Sequence, residues 1–205
     1  MKKILTEWRR FLNEQIDTSN LGLWAKEGRS TINFVLYNIN GFREYLESKD
    51  FKENRQDSRY FVNFISPKYK ILIGMMSAGQ DAEAPCMSAY VVGASAVASE
   101  YQGQKFGKMI YNLAMAMVYP DSLTADRATV KPGAQNVWNS FEKDSSIEKL
   151  PPNKDPYKGK FDNVDYPETK PVEDDCWLHN KPDSLNKAYR SEENEALVEQ
   201  LILNH

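Results

Sequence analysis

An α/β domain with a mixed, mostly antiparallel central sheet flanked by helices is the fold class that this 205-residue chain predicts. Three observations point to it. Segments of strand length, rich in β-branched and aromatic residues, follow one another through the first half of the chain. Two later segments repeat apolar residues at helical spacing, with a short strand-like stretch between them. The first of those helices follows a strand through the glycine-bearing turn YQGQKFG (Tyr101 to Gly107), the strand–turn–helix order of an α/β unit.

Taken in order, MKKILTEWRRFLNE sets Ile4, Leu5, Trp8, Phe11 and Leu12 at helical spacing among charged residues, which predicts a short amphipathic helix. Gly22 and Gly28 then punctuate what reads as a loop, so residues 1–29 form a helix and linker. STINFVLYNI (Ser30 to Ile39) predicts a strand, and GFREYLES a short helix. RYFVNFIS and YKILIGMMSA, parted by Pro67 and Lys68, read as the two strands of a hairpin. The polar loop GQDAEAP leads to a third strand in MSAYVVGASAVAS. The helix after the turn places Met109, Ile110, Leu113, Ala114 and Met117 on one face and stops at Pro120. LTADRATV supplies a short strand and its exit loop. Pro132 suits the first position of the next helix, KPGAQNVWNSFEK, whose Ala134, Val137, Trp138 and Phe141 share a side.

These elements make residues 30–142 the domain. From 143 to 190 the texture changes. Six of the ten prolines fall between Pro151 and Pro182, which excludes a long regular element there. Recurring aromatics (Tyr157, Phe161, Tyr166, Trp177, Tyr189) predict an irregular arm wrapped on a surface. Residues 191–205 close the chain with a helix striped by Leu197, Val198, Leu201 and Ile202.

Composition narrows the function classes. Basic and acidic residues, 26 and 29, nearly balance, so no large basic surface is available and no nucleic-acid binding is expected. Cys86 and Cys176 form no CxxC and read as free thiols of a reducing compartment. No apolar run has spanning length, and Glu7, Arg9 and Arg10 interrupt any secretory core, so a cytoplasmic protein without membrane association is expected. His179 stands beside Asp174, Asp175 and Cys176, but the spacing fits no zinc pattern. A loop anchored by Trp177 is the expectation there, with no metal site. Met75, Met76, Met109, Met115 and Met117 read as adaptable core filler.

A strand that ends in a turn of exposed backbone N–H groups and feeds a helix makes an anion site, because the first-turn amides lack intrahelical partners and the helix dipole adds positive charge. VASEYQGQKFGKMI offers that arrangement, with Gly103 and Gly107 as small residues and Lys105 and Lys108 as nearby cations. The stretch resembles the acyl-CoA-binding motif of the GCN5-related N-acetyltransferase (GNAT) superfamily, in which a strand ending in Val is followed by Arg/Gln-x-x-Gly-x-Gly/Ala opening a helix. Val97 matches the strand end, Gln102 the Arg/Gln, Gly103 the glycine common just after it, and Gly107 the final Gly/Ala; Lys105 stands where the central glycine belongs.

The resemblance covers about residues 31 to 142. It implies that acetyl-CoA runs along Val97, with its pyrophosphate on the backbone of Gln102, Gly103, Gln104, Lys105, Phe106, Gly107 and Lys108. Acetyl would pass to a small-molecule or protein amine. The family's thiolate-protonating tyrosine, four residues after an alanine on the later helix, is Trp138 here, so that role passes to Tyr111 or Tyr119 or is absent. Glu100 or Glu83 would be the base, against a competing reading of both as solvated loop residues. Asp126 and Arg127 at a strand end grip substrate or pin the loop as an ion pair.

The first segment also resembles the amphipathic leaders that large tailed bacteriophages place on head-packaged proteins and cut after Leu/Ile-x-Glu; Leu12-Asn13-Glu14 and Leu5-Thr6-Glu7 fit that pattern. This implies an alternative, a virion or head-packaged protein that keeps a GNAT-like fold without catalysis, has phage head proteins as partners, and resides in the host cytoplasm or the virion. A helix packed on the domain is the competing reading of the same segment.

Overall fold

A computed structural model describes residues 18–28, 30–53, 66–80, 87–127, 129–152, 181–192 and 195–203. Seven strands form one sheet: β1 Leu21–Glu27, β2 Thr31–Asn38, β3 Leu72–Gln80, β4 Tyr90–Val97, β5 Leu123–Ala125, β6 Glu148–Leu150 and β7 Ala188–Arg190. Their order is β1-β2-β3-β4-β5-β7-β6, and every neighbouring pair is antiparallel except β4–β5. The fold is therefore the mixed, mostly antiparallel α/β class that the sequence predicts.

Among the described residues six helices accompany the sheet: α1 Ile39–Glu47, α2 Lys49–Glu53, α3 Ser66–Tyr69, α4 Phe106–Val118, α5 Pro132–Lys143 and α6 Glu195–Leu203. α1 starts where β2 ends because the Asn38 side chain accepts the Gly41 amide, which caps the helix. α4 crosses the core face of β2, β3 and β4 and is buried on nearly every side. It comes close because Gly74 has no side chain: a Cβ there would sit 2.2 Å from Ile110 Cδ1 and 2.7 Å from the Ala96 carbonyl. α5 begins at Pro132 as expected and buries Trp138 and Phe141 in an aromatic cluster with Tyr111 and Tyr189. α6 seals the other side of α4 through Leu197 and Leu201. Among the described residues no helix is long and apolar enough to cross a membrane.

Several expectations need correction. Gly22 lies not in a loop but in β1, where Leu21 and Leu23 are buried and the Tyr37 ring occupies the space beside the glycine. β3 has β2 and β4 as its two neighbours, and residues 66–69 form one helical turn, so YKILIGMMSA is not half of a hairpin with RYFVNFIS; residues 59–65 of the latter lie outside the described residues. The 143–190 arm contributes β6 and β7 to the sheet, with Tyr189 fully buried; three-residue strands carry too little periodicity to be read from sequence. Ile202 and Met75 are exposed rather than core. The amphipathic segment with its leader motif, Glu83, Cys86 and the Cys176–His179 loop all lie outside the described residues.

Candidate functional site

The site grows out of β4, whose two halves are paired differently. Tyr90, Val91 and Val92 are matched to Leu123, Thr124 and Ala125 of β5 on one edge and to β3 on the other. β5 then ends, and among the described residues Gly93–Val97 have only β3 beside them. The β3 register passes from Ser77↔Ala94 to Ala78↔Val92, so Gly93 is the extra residue of a β-bulge at the point where the strands part. Gly93, Ala94, Ser95 and Ala96 are all exposed although β4 is the middle strand of seven. Small side chains leave the backbone edge accessible, and the gap opens into a cleft of about 810 Å³, within the usual range of a ligand pocket.

Both walls of the mouth end in helix N-termini. On the β4 side the chain passes through a short 3-10 turn, Ser99–Tyr101, into α4, and Gln102, Gly103 and Gly107 line the cleft. On the β5 side a loop from Asp126 leads to α5, and Lys131, Gly133 and Ala134 line it. Crevices at the carboxyl ends of parallel strands, where helices begin, are the usual ligand sites of α/β sheets. The first intrahelical bond of α4 runs from the Met109 amide to the Lys105 carbonyl, and no side chain caps the helix. The amides of Phe106, Gly107 and Lys108 therefore precede any intrahelical acceptor.

The turn is held from below. Tyr101 Oη donates to the Lys70 carbonyl at 2.6 Å and accepts from Asn38 Nδ2 at 3.1 Å, while its ring stands edge-on to Phe106. Gln102 Nε2 donates back to the Val97 carbonyl at 3.2 Å, and Gln104 Nε2 to the Glu100 carbonyl at 2.9 Å. Lys105, the residue that departs from the motif, sits at φ 65° with ψ 2°, the left-handed conformation that glycine would supply. The backbone shape persists without the glycine, and the lysine side chain is exposed.

Of the eight residues expected to hold cofactor, Val97, Gln102, Gly103 and Gly107 line the cleft, and Gln104, Lys105, Phe106 and Lys108 do not. Phe106 is buried under the turn. Lys108 Nζ lies 3.2 Å from Asp144 Oδ2 and above the Phe141 ring, so its charge serves the α5 end of the domain.

Tyr111 lies inside the cleft, reaching it from the buried face of α4. Its hydroxyl is 2.9 Å from Ser95 Oγ on the splayed half of β4, and its ring stands at 88° to Trp138 with centroids 5.0 Å apart. Burial pushes its phenol above the ordinary value, while the Ser95 hydrogen bond pulls weakly the other way. Trp138 itself is buried and lines the cleft. Glu100 is half-buried on the 3-10 turn, outside the cleft lining, with its carboxylate accepting from Ser99 Oγ. Tyr119, past the far end of α4, is also outside it.

Among the described residues, Asp126 is the only acidic member of the cleft's lining and Lys131 the only basic one. Thr129 Oγ1 donates to Asp126 Oδ2 at 2.6 Å and fixes that carboxylate. Arg127 beside it is half-buried, and burial lowers its pKa. Ser95, Gly93 and Gly133 were the members that sequence reading passed over; the run Gly93-Ala94-Ser95-Ala96, four small residues inside an apolar strand, was the signal that marked the open edge. Among the described residues no cluster of His, Cys, Asp and Glu could hold a metal. Comparison with protein-family models, with curated proteins and with solved structures finds no match to this chain.

Proposed function

We propose that the protein is an acyl-CoA-dependent N-acetyltransferase of GNAT type, with acetyl-CoA in the β4–β5 cleft and an amine as acceptor. The observation that carries this reading is the set of glycines around the cleft. A Cβ on Gly107 would approach only Val137 Cγ2, at 3.9 Å; one on Gly93 would come no nearer than 4.0 Å to the Ser77 carbonyl; one on Gly133 would meet nothing within 4 Å. Packing among the described residues does not demand glycine at these positions, although glycine weakens both helices and strands. Close approach of a ligand to the backbone does.

The donor set suits that ligand. The amides opening α4 suit a pyrophosphate, and the unpaired edge of Gly93–Val97 suits an extended chain carrying amides, which would pair with it as an added strand does. When bound, acetyl-CoA supplies a thioester carbonyl activated for attack. The protein's part is to orient that group against β4, to keep water away with Trp138 and the apolar wall of Val130 and Val137, and to present a proton at Tyr111 Oη for the departing sulfur. The raised pKa of Tyr111 keeps the phenol protonated, and Ser95 aims it. Tyr111 in this way takes from α4 the role that Trp138 cannot fill from α5.

Isothermal titration with acetyl-CoA and with CoA tests the reading. Micromolar binding to the wild type that disappears in Gly107→Glu is the expected result. No heat and no thermal shift at millimolar ligand would overturn it and turn the search to assembly partners.

A further inference from the structure

The turn that opens α4 is tied to itself by the Gln102 and Gln104 side chains, which bond back to Val97 and Glu100. Tyr101 reaches out of it. Its hydroxyl donates to the Lys70 carbonyl, 31 residues back in the chain, and accepts from Asn38 Nδ2, 63 residues back. Asn38 is a junction. Its Oδ1 accepts the Gly41 amide, which caps α1, and also accepts from Asn20 Nδ2 at 2.9 Å. Asn20 Oδ1 in turn accepts the Asn40 amide at 2.8 Å, and the Asn38 amide donates to the carbonyl of Ile71, next to Lys70. One side chain thus joins the 3-10 turn Thr18–Asn20 ahead of β1, the start of α1 and a residue that lines the cleft.

Capping alone does not call for asparagine here, since serine, threonine or aspartate would also accept the Gly41 amide. What asparagine adds is an N–H donor beside its capping carbonyl, and that donor meets Tyr101. A donor arriving at the phenol oxygen also obliges the phenol proton to point at Lys70. We propose that Asn38 is a positioning residue for the cofactor turn: acting through Tyr101, it sets where the amides of Phe106, Gly107 and Lys108 stand relative to the sheet. The assignment rests on the acetyltransferase reading, in which those amides meet the pyrophosphate. Donors held in place before the ligand arrives bind it more tightly than donors that must be ordered by it.

The test titrates CoA into the full-length wild type, Asn38→Ser, Tyr101→Phe, the double variant and Ser48→Ala, with a thermal midpoint for each. Asn38→Ser keeps a cap for α1 but has no group that reaches Tyr101, and Tyr101→Phe keeps the ring against Phe106. Ser48→Ala removes the bond from Ser48 Oγ to the Tyr45 carbonyl at the opposite end of α1 and reports what loosening that helix does by itself. Expected is a Kd for CoA raised about three- to tenfold in Asn38→Ser and in Tyr101→Phe, as loss of a neutral hydrogen bond implies. The double variant should be no weaker than Tyr101→Phe, because both changes break one path. Ser48→Ala should keep the wild-type Kd whatever its thermal midpoint. An unchanged Kd in Asn38→Ser, losses that multiply in the double variant, or a Ser48→Ala variant as weak as Asn38→Ser would each overturn the positioning role and leave the acetyltransferase reading standing. Absence of CoA binding to the wild type would overturn both.

Discussion

Five of the described glycines fall into two regions that use the same residue in opposite ways. Under the packed part of the sheet, Gly74 makes room for protein: Ile110 and the Ala96 carbonyl occupy the place of its missing side chain. Gly41 is equally confined, with the Tyr69 carbonyl 2.2 Å from where a Cβ would be. Around the cleft, a Cβ on Gly93, Gly107 or Gly133 would come no nearer than 3.9 Å to any atom of the described residues. One set is explained by the fold alone. The other leaves space that the proposed ligand would use. Stability and binding should therefore respond in opposite directions to the same substitution in the two regions.

The largest effect is expected at Gly74→Ala. The flexible Ile110 tip can move, but the Ala96 carbonyl belongs to the adjoining strand, so overpacking should destabilise by about 1–3 kcal/mol in urea titration. Gly107→Ala and Gly133→Ala should instead leave the fold unharmed or stabilise it by up to about 1 kcal/mol, since alanine is the better helix former. The same two variants should weaken CoA binding. If Gly107→Ala proved as destabilising as Gly74→Ala, the comparison would break, and the cleft glycines would be ordinary packing residues.

Lys105 sharpens the contrast. A lysine at φ 65° holds a conformation costing of order 1 kcal/mol over glycine, at a turn whose shape the neighbouring hydrogen bonds of Tyr101 and Gln102 maintain. Lys105→Gly should therefore raise stability by up to about 1 kcal/mol, read as a shift in thermal midpoint, with CoA affinity retained. Loss of CoA binding in that variant would instead assign the lysine itself a contact with the ligand.

Much of this was legible in the sequence, and the reason is locality. β2, β3, β4, α4 and α5 each carry a full period or more of apolar pattern, and each stands where the pattern puts it. The turn was legible because Val97, Gln102, Gly103 and Gly107 are close neighbours in the chain. What could not be read depends on partners distant in sequence. β7 is three residues whose strand character comes from β5 and β6, and Tyr189 is buried because Trp138 and Phe141 reach it from α5. Glu100, which precedes the turn, lies outside the cleft lining, whereas Asp126, 26 positions further on, lines it because β5 lies beside β4.

The smallest expected effect lies on the far side of α5, where Glu142 accepts from Lys187 Nζ and from Tyr189 Oη at 3.1 Å. Burial works against this carboxylate, yet the Lys187 and Tyr189 hydrogen bonds outweigh it and hold its pKa below the ordinary 4.5. A depressed carboxylate lends stability that is fully present above the unfolded-state value and is lost as pH falls through the folded one. The wild type should therefore lose part of its margin over Glu142→Gln as pH drops below about 4.5, by no more than about 1 kcal/mol because the pair is partly exposed. CoA binding should be the same in both proteins at neutral pH, since none of Glu142, Lys187 and Tyr189 lines the cleft. A change in CoA affinity in Glu142→Gln would mean that the aromatic cluster linking Tyr189 to Trp138 and Tyr111 transmits strain into the site, and the division between packed region and cleft would be less sharp than the glycines indicate.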